Sequence, residues 1–216
     1  MESPAEESSK SRRRPILVLI LGCLAVVAVT TLVMGRSAEP TDASAEAGFA
    51  RDMAAHHAQA VEMSFIARDG TEDESVRGLA YDIIITQTAQ RGMFMGWLQQ
   101  WELGQATERP SMAWMAGHGH GGTAGAPAAM PGMASAAELD RLRKATGREQ
   151  EILFLQLMIR HHEGGVQMAE ALLKLSDRDE VVTMARHIVN TQDGEIKLMK
   201  DMLKQRGAQP LPSIRQ

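Results

Sequence analysis

Apolar side chains recur at helical spacing through four long stretches of this chain, and the breaks between them fall on glycine, proline and capping residues. A first helix is predicted from Ala45 to about Arg68, closed by Gly70 as a glycine C-cap. Thr71 and Glu74 have capping-box spacing and open a second, whose apolar positions Leu79, Ile83, Ile84, Phe94, Trp97, Leu98 and Trp101 run to about Leu103 and Gly104. Residues 105–134 abandon the pattern for Gly, Ala, Pro, Met and His, which predicts a linker. Ser135 and Glu138 then cap a short helix to about Ala145, and Gly147 separates it from a long helix through Leu175. Asp177 and Glu180 open the last, which ends near Gly207 with Lys204 and Arg206 complementing its dipole.

The two halves of this pattern are one pattern written twice. Met53, His56, His57, Val61 and Met63 recur as Met158, His161, His162, Val166 and Met168 at a constant offset of 105, with Phe49 and Phe154 matching upstream. Beyond the motif, Ala80, Ile83, Thr86, Gln87 and Leu98 recur as Ala185, Ile188, Thr191, Gln192 and Leu203. Each half is a helical hairpin too thin to bury its apolar face alone. The expected fold is therefore all-α: a four-helix bundle of two duplicated hairpins, residues 45–104 and 135–207, related by an approximate two-fold. The linker is long enough to run the length of the bundle, so ferritin-like connectivity is expected, with residues 208–216 as a C-terminal tail.

Ahead of the bundle lies a different kind of segment. Ile16 to Met34 is nineteen residues without a charge, preceded by Lys10, Arg12, Arg13 and Arg14 and followed by Glu39, Asp42 and Glu46. About twenty apolar residues span a bilayer, and the basic flank stays inside. The expectation is one N-terminal transmembrane helix, a signal anchor, with residues 1–15 a basic cytoplasmic tail, 35–44 a tether, and the bundle outside the cytoplasm. A cleaved signal, which would export the bundle, is the alternative; its apolar stretch is usually shorter, and no clean cut site follows. The single cysteine, Cys23, falls within this run, so the bundle contains neither disulfide nor thiolate. A net charge of -4 with mixed signs excludes nucleic acid as the main partner, since phosphate binding wants a basic face.

The chemistry is in the repeated motif. Imidazole and thioether are soft or borderline donors from which a copper(I) site can be built. Methionine precedes histidine by three at Met53/His56, Met115/His118, Met158/His161 and Met184/His187, which puts both groups on one helical face. The spacing is that of the Glu-x-x-His pair of di-iron bundles, with a thioether replacing the carboxylate, and the expected ion moves from iron toward copper(I) or silver. His56, Met53 and Met63 are expected to face His161, Met158 and Met168 in the core, with His57 and His162 on the flank and small residues Ala60 and Gly165 leaving space. Met184 and His187 would complete a site from the last helix, and Asp82 would orient an imidazole. Gln87, Gln192, Asp193 and Glu195 are weighed equally as acceptors for the histidines and as surface polar residues. Met93, Met95, Met199 and Met202, without histidine at ligand spacing, read as core. In the linker, Met112, Met115, His118, His120, Met130 and Met133 read equally as a low-affinity capture tract or a spacer, and Trp114 as a shield for copper(I) or a loop anchor.

At these residues the chain resembles the domain-of-unknown-function family 305. The resemblance covers roughly residues 45–207: the first motif, Ile85-Thr86-Gln87 through Trp97-Leu98-Gln99-Gln100-Trp101, Met130-Pro131-Gly132-Met133, and Phe154-Leu155-Gln156-Leu157-Met158-Ile159-Arg160-His161-His162. It implies a ferritin-like bundle with a His-His motif in each half, and copper binding as in some exported members, carried by Met53, His56, His57, Met63, Met158, His161, His162 and Met168.

The leading expectation is a membrane-anchored, extracytoplasmic protein that sequesters or passes copper(I) without catalytic turnover. Its candidate partners are the copper ion, a copper-transfer protein and a second copy of the chain. The rivals are a di-metal redox enzyme on the same bundle, which would need several inward carboxylates, and an interaction bundle in which the histidines are polar core.

Overall fold

The computed structural model describes residues 39–115 and 129–215, and the expected transmembrane segment 16–34 lies outside them, as do His118 and His120. Among the described residues there are five α-helices, one 3-10 turn and no strand. We label the helices α1 (Ala45–Gly70), α2 (Glu74–Gln100), α3 (Ala136–Lys144), α4 (Gly147–Leu172) and α5 (Asp179–Gln205). No described helix is long and apolar enough to cross a membrane.

Capping explains most of the boundaries. Ser44 accepts from the Ala47 amide to start α1, and Ser135 and Glu138 form the reciprocal box predicted for α3. Two starts differ from expectation. Asp73, not Thr71, caps α2, its carboxylate taking the Ser75 and Val76 amides. Arg178, not Asp177, precedes α5, with no side-chain cap. In both places the earlier hydroxyl does something else: Thr71 Oγ1 accepts from the Asp73 amide and Ser176 Oγ from the Arg178 amide, each closing a tight turn that sets up the helix two residues on. Residues 71 and 176 again stand 105 apart. α4 ends at Leu172, short of the expected Leu175, because residues 173–175 tighten into turns.

α1 pairs with α2 and α4 with α5, and the two hairpins meet chiefly through α1 and α4. These inner helices are therefore covered on several faces; His161 through Val166 are six consecutive buried residues. Two irregular segments complete the cover of α4. The chain at Pro131–Gly132 runs so close that a Cβ on Gly164 would stand 2.0 Å from the Pro131 carbonyl oxygen. The tail after α5 lies along the other side, where Glu163 accepts from Ser213 Oγ and the Ile214 amide and Gln167 donates to the Ile214 carbonyl.

The apolar core is in two parts. One holds Met63, Ile83, Met158, Ile196 and Met199; the other holds Phe49, Met53, Phe94, Met168 and Ile188. Along every long helix the change from one part to the other occurs at the same level: at His56 and His57 on α1, Gln87 and Gln90 on α2, His161 and His162 on α4, and Gln192 on α5. A buried polar layer thus crosses the middle of the domain.

Candidate metal centre

Four imidazoles make the middle of this layer, and all four are fully buried. α1 and α4 bring His56 and His161 face to face with ring centroids 3.7 Å apart, while His57 and His162 sit outward, 6.5 and 6.4 Å from their chain neighbours. Adjacent helix positions differ by about 100 degrees, so one member of each pair faces the other hairpin and the second faces its own. His57 donates from Nε2 to Gln90 Oε1 of α2 at 2.7 Å, and His162 donates from Nε2 to Glu195 Oε2 of α5 at 2.6 Å. His56 donates from Nε2 to the Pro131 carbonyl at 3.1 Å.

These partners fix the tautomers. Carbonyl and carboxylate oxygens only accept, so Nε2 carries the hydrogen and Nδ1 keeps its lone pair. The Nδ1 atoms of His56, His57 and His162 are buried with no hydrogen-bond partner, and neither nitrogen of His161 makes a hydrogen bond of normal geometry. Both side-chain amides of Gln87 and Gln192 are likewise buried and unpartnered. Buried polar atoms are rarely left so, because each costs about 1–3 kcal/mol. Unpartnered lone pairs in a dry layer suit a ligand that supplies the missing bonds.

Burial also keeps three of the rings, His56, His57 and His161, neutral. It pushes His56 from 6.5 down to about 4, with the Pro131 carbonyl opposing. It pushes His57 down to about 3, helped by repulsion from His56 and opposed by Gln90. His161 is held well below the ordinary value, by burial first and then by the neighbouring imidazoles. A neutral ring is the form that binds a metal.

Thioethers flank the layer on both sides. Met53, Met63, Met158 and Met168 are all fully buried. Because α1 and α4 run antiparallel, Met53 shares its core with Met168 and Met63 shares its core with Met158. The motif methionines therefore meet crosswise rather than with their own repeats. Among the described residues, no three His, Asp or Glu side chains converge as a metal cage, and the other buried donors of the two motifs are the methionine thioethers.

Several predicted residues fall elsewhere. His187 is exposed on α5 and Met184 is only partly buried, so the structure does not bring them to the four histidines. The i,i+3 spacing put them on neighbouring positions, but Met184 packs on the core part that holds Phe49 and Ile188 while His187 turns to solvent. Asp82 is also exposed. Asp193 pairs with Arg215 of the tail. Trp114 anchors the loop: its Nε1 donates to Asp52 Oδ2 at 2.8 Å, it lies edge-on to Phe49, and Gly48 makes room for the indole. Asp52 accepts from the Met112 amide as well, and burial raises its carboxyl despite both bonds. Met112 and Met115 are buried beside Trp114, and Met130 packs on the same core part. Gln90 was not foreseen, although its offset of 105 from Glu195 marked it.

The turn over His56 offers a direct check on this geometry. Gln59 holds it by bonding both the amide and the carbonyl of Ala134, and Gly164 lets Pro131 touch the helix. Gly164→Ala places a methyl against backbone rather than a movable side chain, and is expected to cost about 1–3 kcal/mol. Thermal unfolding would read that loss, and faster proteolysis near residue 131 would show the turn lifted from His56. An unchanged melting temperature would contradict the close approach.

The model of the domain of unknown function DUF305 matches residues 46–203. No curated protein matches the chain. Among solved structures, a DUF305 protein from Streptomyces coelicolor is similar at 46% identity, over 79% of this chain and 99% of that one, with a TM-score of 0.73. A DUF305 fragment from Deinococcus radiodurans is similar at 34% identity, over 74% and 96%, with a TM-score of 0.61. CopM in its Cu(I)-bound form is similar at 27% identity, over 74% and 96%, with a TM-score of 0.55, and CopM is also solved Cu(II)-bound and Ag-bound.

Proposed function

Since the chain belongs to the DUF305 family, whose model spans residues 46–203, we propose that it is an extracytoplasmic protein that binds copper(I), or silver, as cargo for sequestration or transfer. On this reading the domain is a ferritin-like bundle of two duplicated hairpins, held at the membrane by residues 16–34. The observation that carries the reading is the histidine layer: three buried imidazoles whose Nε2–H is engaged and whose Nδ1 lone pair is unpartnered, flanked by four fully buried methionines. Imidazole and thioether together favour a soft monovalent ion over zinc, iron or magnesium. The capture of Cu(I), Cu(II) and Ag by CopM, at 25–28% identity, supports the same class of ion.

The ligands proposed for the ion are His56, His57, His161 and His162 with Met53, Met63, Met158 and Met168. The chain's own work is to keep these donors buried, with His56, His57 and His161 neutral, so that the ion gains several bonds and no water competes. A di-metal enzyme would need inward carboxylates free to bridge. Glu62 is exposed and paired with Arg143, and Glu163 is engaged by the tail.

The test is anaerobic competition for copper(I) against a chromophoric chelator, with zinc and iron(II) alongside. Copper(I) is expected to bind while the harder ions do not. His56→Ala with His57→Ala should weaken binding, as should His161→Ala with His162→Ala. Unchanged affinity and stoichiometry in both double variants would rule out the layer as the site.

A further inference from the structure

The two halves of the histidine layer share a geometry but not a charge. His57 and His162 stand 105 residues apart, and so do Gln90 and Glu195. In each half the second helix of the hairpin presents an oxygen to the outer imidazole, at 2.7 Å from Gln90 and 2.6 Å from Glu195. The same hydrogen bond thus ends on a neutral amide in one half and on a carboxylate in the other. Both acceptors are well covered: Gln90 is 5% exposed and the Glu195 side chain 17%.

The difference matters for any cation that takes the free Nδ1. When Nδ1 donates its lone pair, positive charge develops on the ring and the Nε2–H becomes more acidic. A carboxylate stabilises that charge and strengthens the donor, and a charge-assisted bond is roughly twice as strong as a neutral one. An amide oxygen offers only its dipole. The low dielectric of the layer enlarges the difference. Arg215 of the tail is engaged with Asp193 and Glu170 rather than with Glu195. Packing differs in the same place: Gly165 stands where the first half has Ala60, and a Cβ there would come within 2.4 Å of Gln192 Oε1.

Resting on the metal reading above, we propose that the layer holds two inequivalent soft-metal stations and that Glu195 is the positioning residue that makes the His162 half fill first. The His57 half, backed by Gln90, fills second and releases its ion more readily. Such a pair separates retention from exchange within one domain.

The experiment is a titration of the full chain, labelled with 15N at histidine, with copper(I) delivered anaerobically from a competing chelator. In the wild-type chain the His162 Nδ1 resonance is expected to respond before that of His57. Glu195→Gln installs the amide that the other half already carries, so the fold is retained; it should weaken the first binding step about ten- to a hundredfold. The exchange variant, Gln90→Glu with Glu195→Gln, should reverse the order of response, a result that lost packing cannot produce. His57 and His162 responding together in the wild type, or an order unaltered by the exchange, would overturn the inference while leaving copper binding intact. A wild-type chain that takes no copper(I) would instead overturn the metal reading beneath it.

Discussion

His161→Leu is expected to raise the stability of the metal-free domain and to abolish tight copper(I) binding. His161 is fully buried, and neither ring nitrogen makes a hydrogen bond of normal geometry. Leu157 and Met158, one turn back on α4, are buried, so a leucine of similar volume stays in apolar surroundings and gives up chiefly the His56 ring 3.7 Å away. Relief of the unsatisfied polar atoms should return about 1–3 kcal/mol, which in a domain of this size is a rise of about 2–4 °C in Tm for each kcal/mol. The copper(I) affinity should fall by more than the about ten- to hundredfold that follows loss of a partner one step removed from a metal. A stability gain joined to a binding loss is the signature of a residue retained for its ligand rather than for the fold. Calorimetry of the metal-free variant and chelator competition test the two parts separately. A lower Tm with unchanged affinity would make His161 a packing residue. Met63→Leu is the useful contrast, because a volume-conserving swap costs less than about 1.5 kcal/mol and removes only a thioether.

The buried histidine layer was legible in the sequence. Two adjacent histidines serve core packing poorly, so their recurrence at residues 56, 57, 161 and 162 identified the layer before any contact was known. The helices were legible for a similar reason, since their apolar period and glycine breaks are local. The crosswise pairing of Met53 with Met168 was not, because it depends on the antiparallel approach of α1 and α4, and the repeat alone relates Met53 to Met158. The exposure of His187 was missed because i,i+3 spacing says that two residues are neighbours on the helix, not that both turn to the core. The cover of α4 by Pro131–Gly132 and by Ser213–Ile214 was beyond reach, since irregular segments carry no period. Gly164 was its one trace: a glycine inside a long helix with no turn to serve marks a close backbone approach. The two displaced caps share one cause. A hydroxyl or carboxylate three residues ahead of a glutamate resembles a capping box, and at Thr71 and Ser176 the hydroxyl instead closes the turn before the helix.

Acid should destabilise the metal-free domain well above the range where carboxylates protonate, while the proposed copper(I) ligation by His56 and His57 should stay almost unchanged down to about pH 5.5. Burial lowers His56 from 6.5 to about 4 and His57 to about 3. Above pH 6.5 both the folded and unfolded chains hold these rings neutral, and stability does not depend on them. As pH falls from 6.5 toward 4 the unfolded chain binds protons that the folded chain refuses, so unfolding becomes easier. The slope is about 1.4 kcal/mol per pH unit for each such ring, and His56 alone accounts for about 3 kcal/mol across the window. Denaturant melts at pH 7.5, 6.5, 5.5 and 4.5 would trace the loss, and a flat profile would contradict the buried neutral rings. Copper binding follows the folded values instead, because the ion competes with protons only for rings in the folded domain. An exposed imidazole ligand would lose about tenfold in affinity per pH unit below 6.5, whereas these rings offer a bare Nδ1 until the pH approaches 4. The stabilisation added by the ion should therefore be the same at pH 7.5 and 5.5, with loaded and metal-free chains weakening in parallel, and should shrink only as the pH approaches 4. A tenfold fall in affinity per unit that begins at pH 6.5 would place the ligating imidazoles at the surface and remove the layer from consideration.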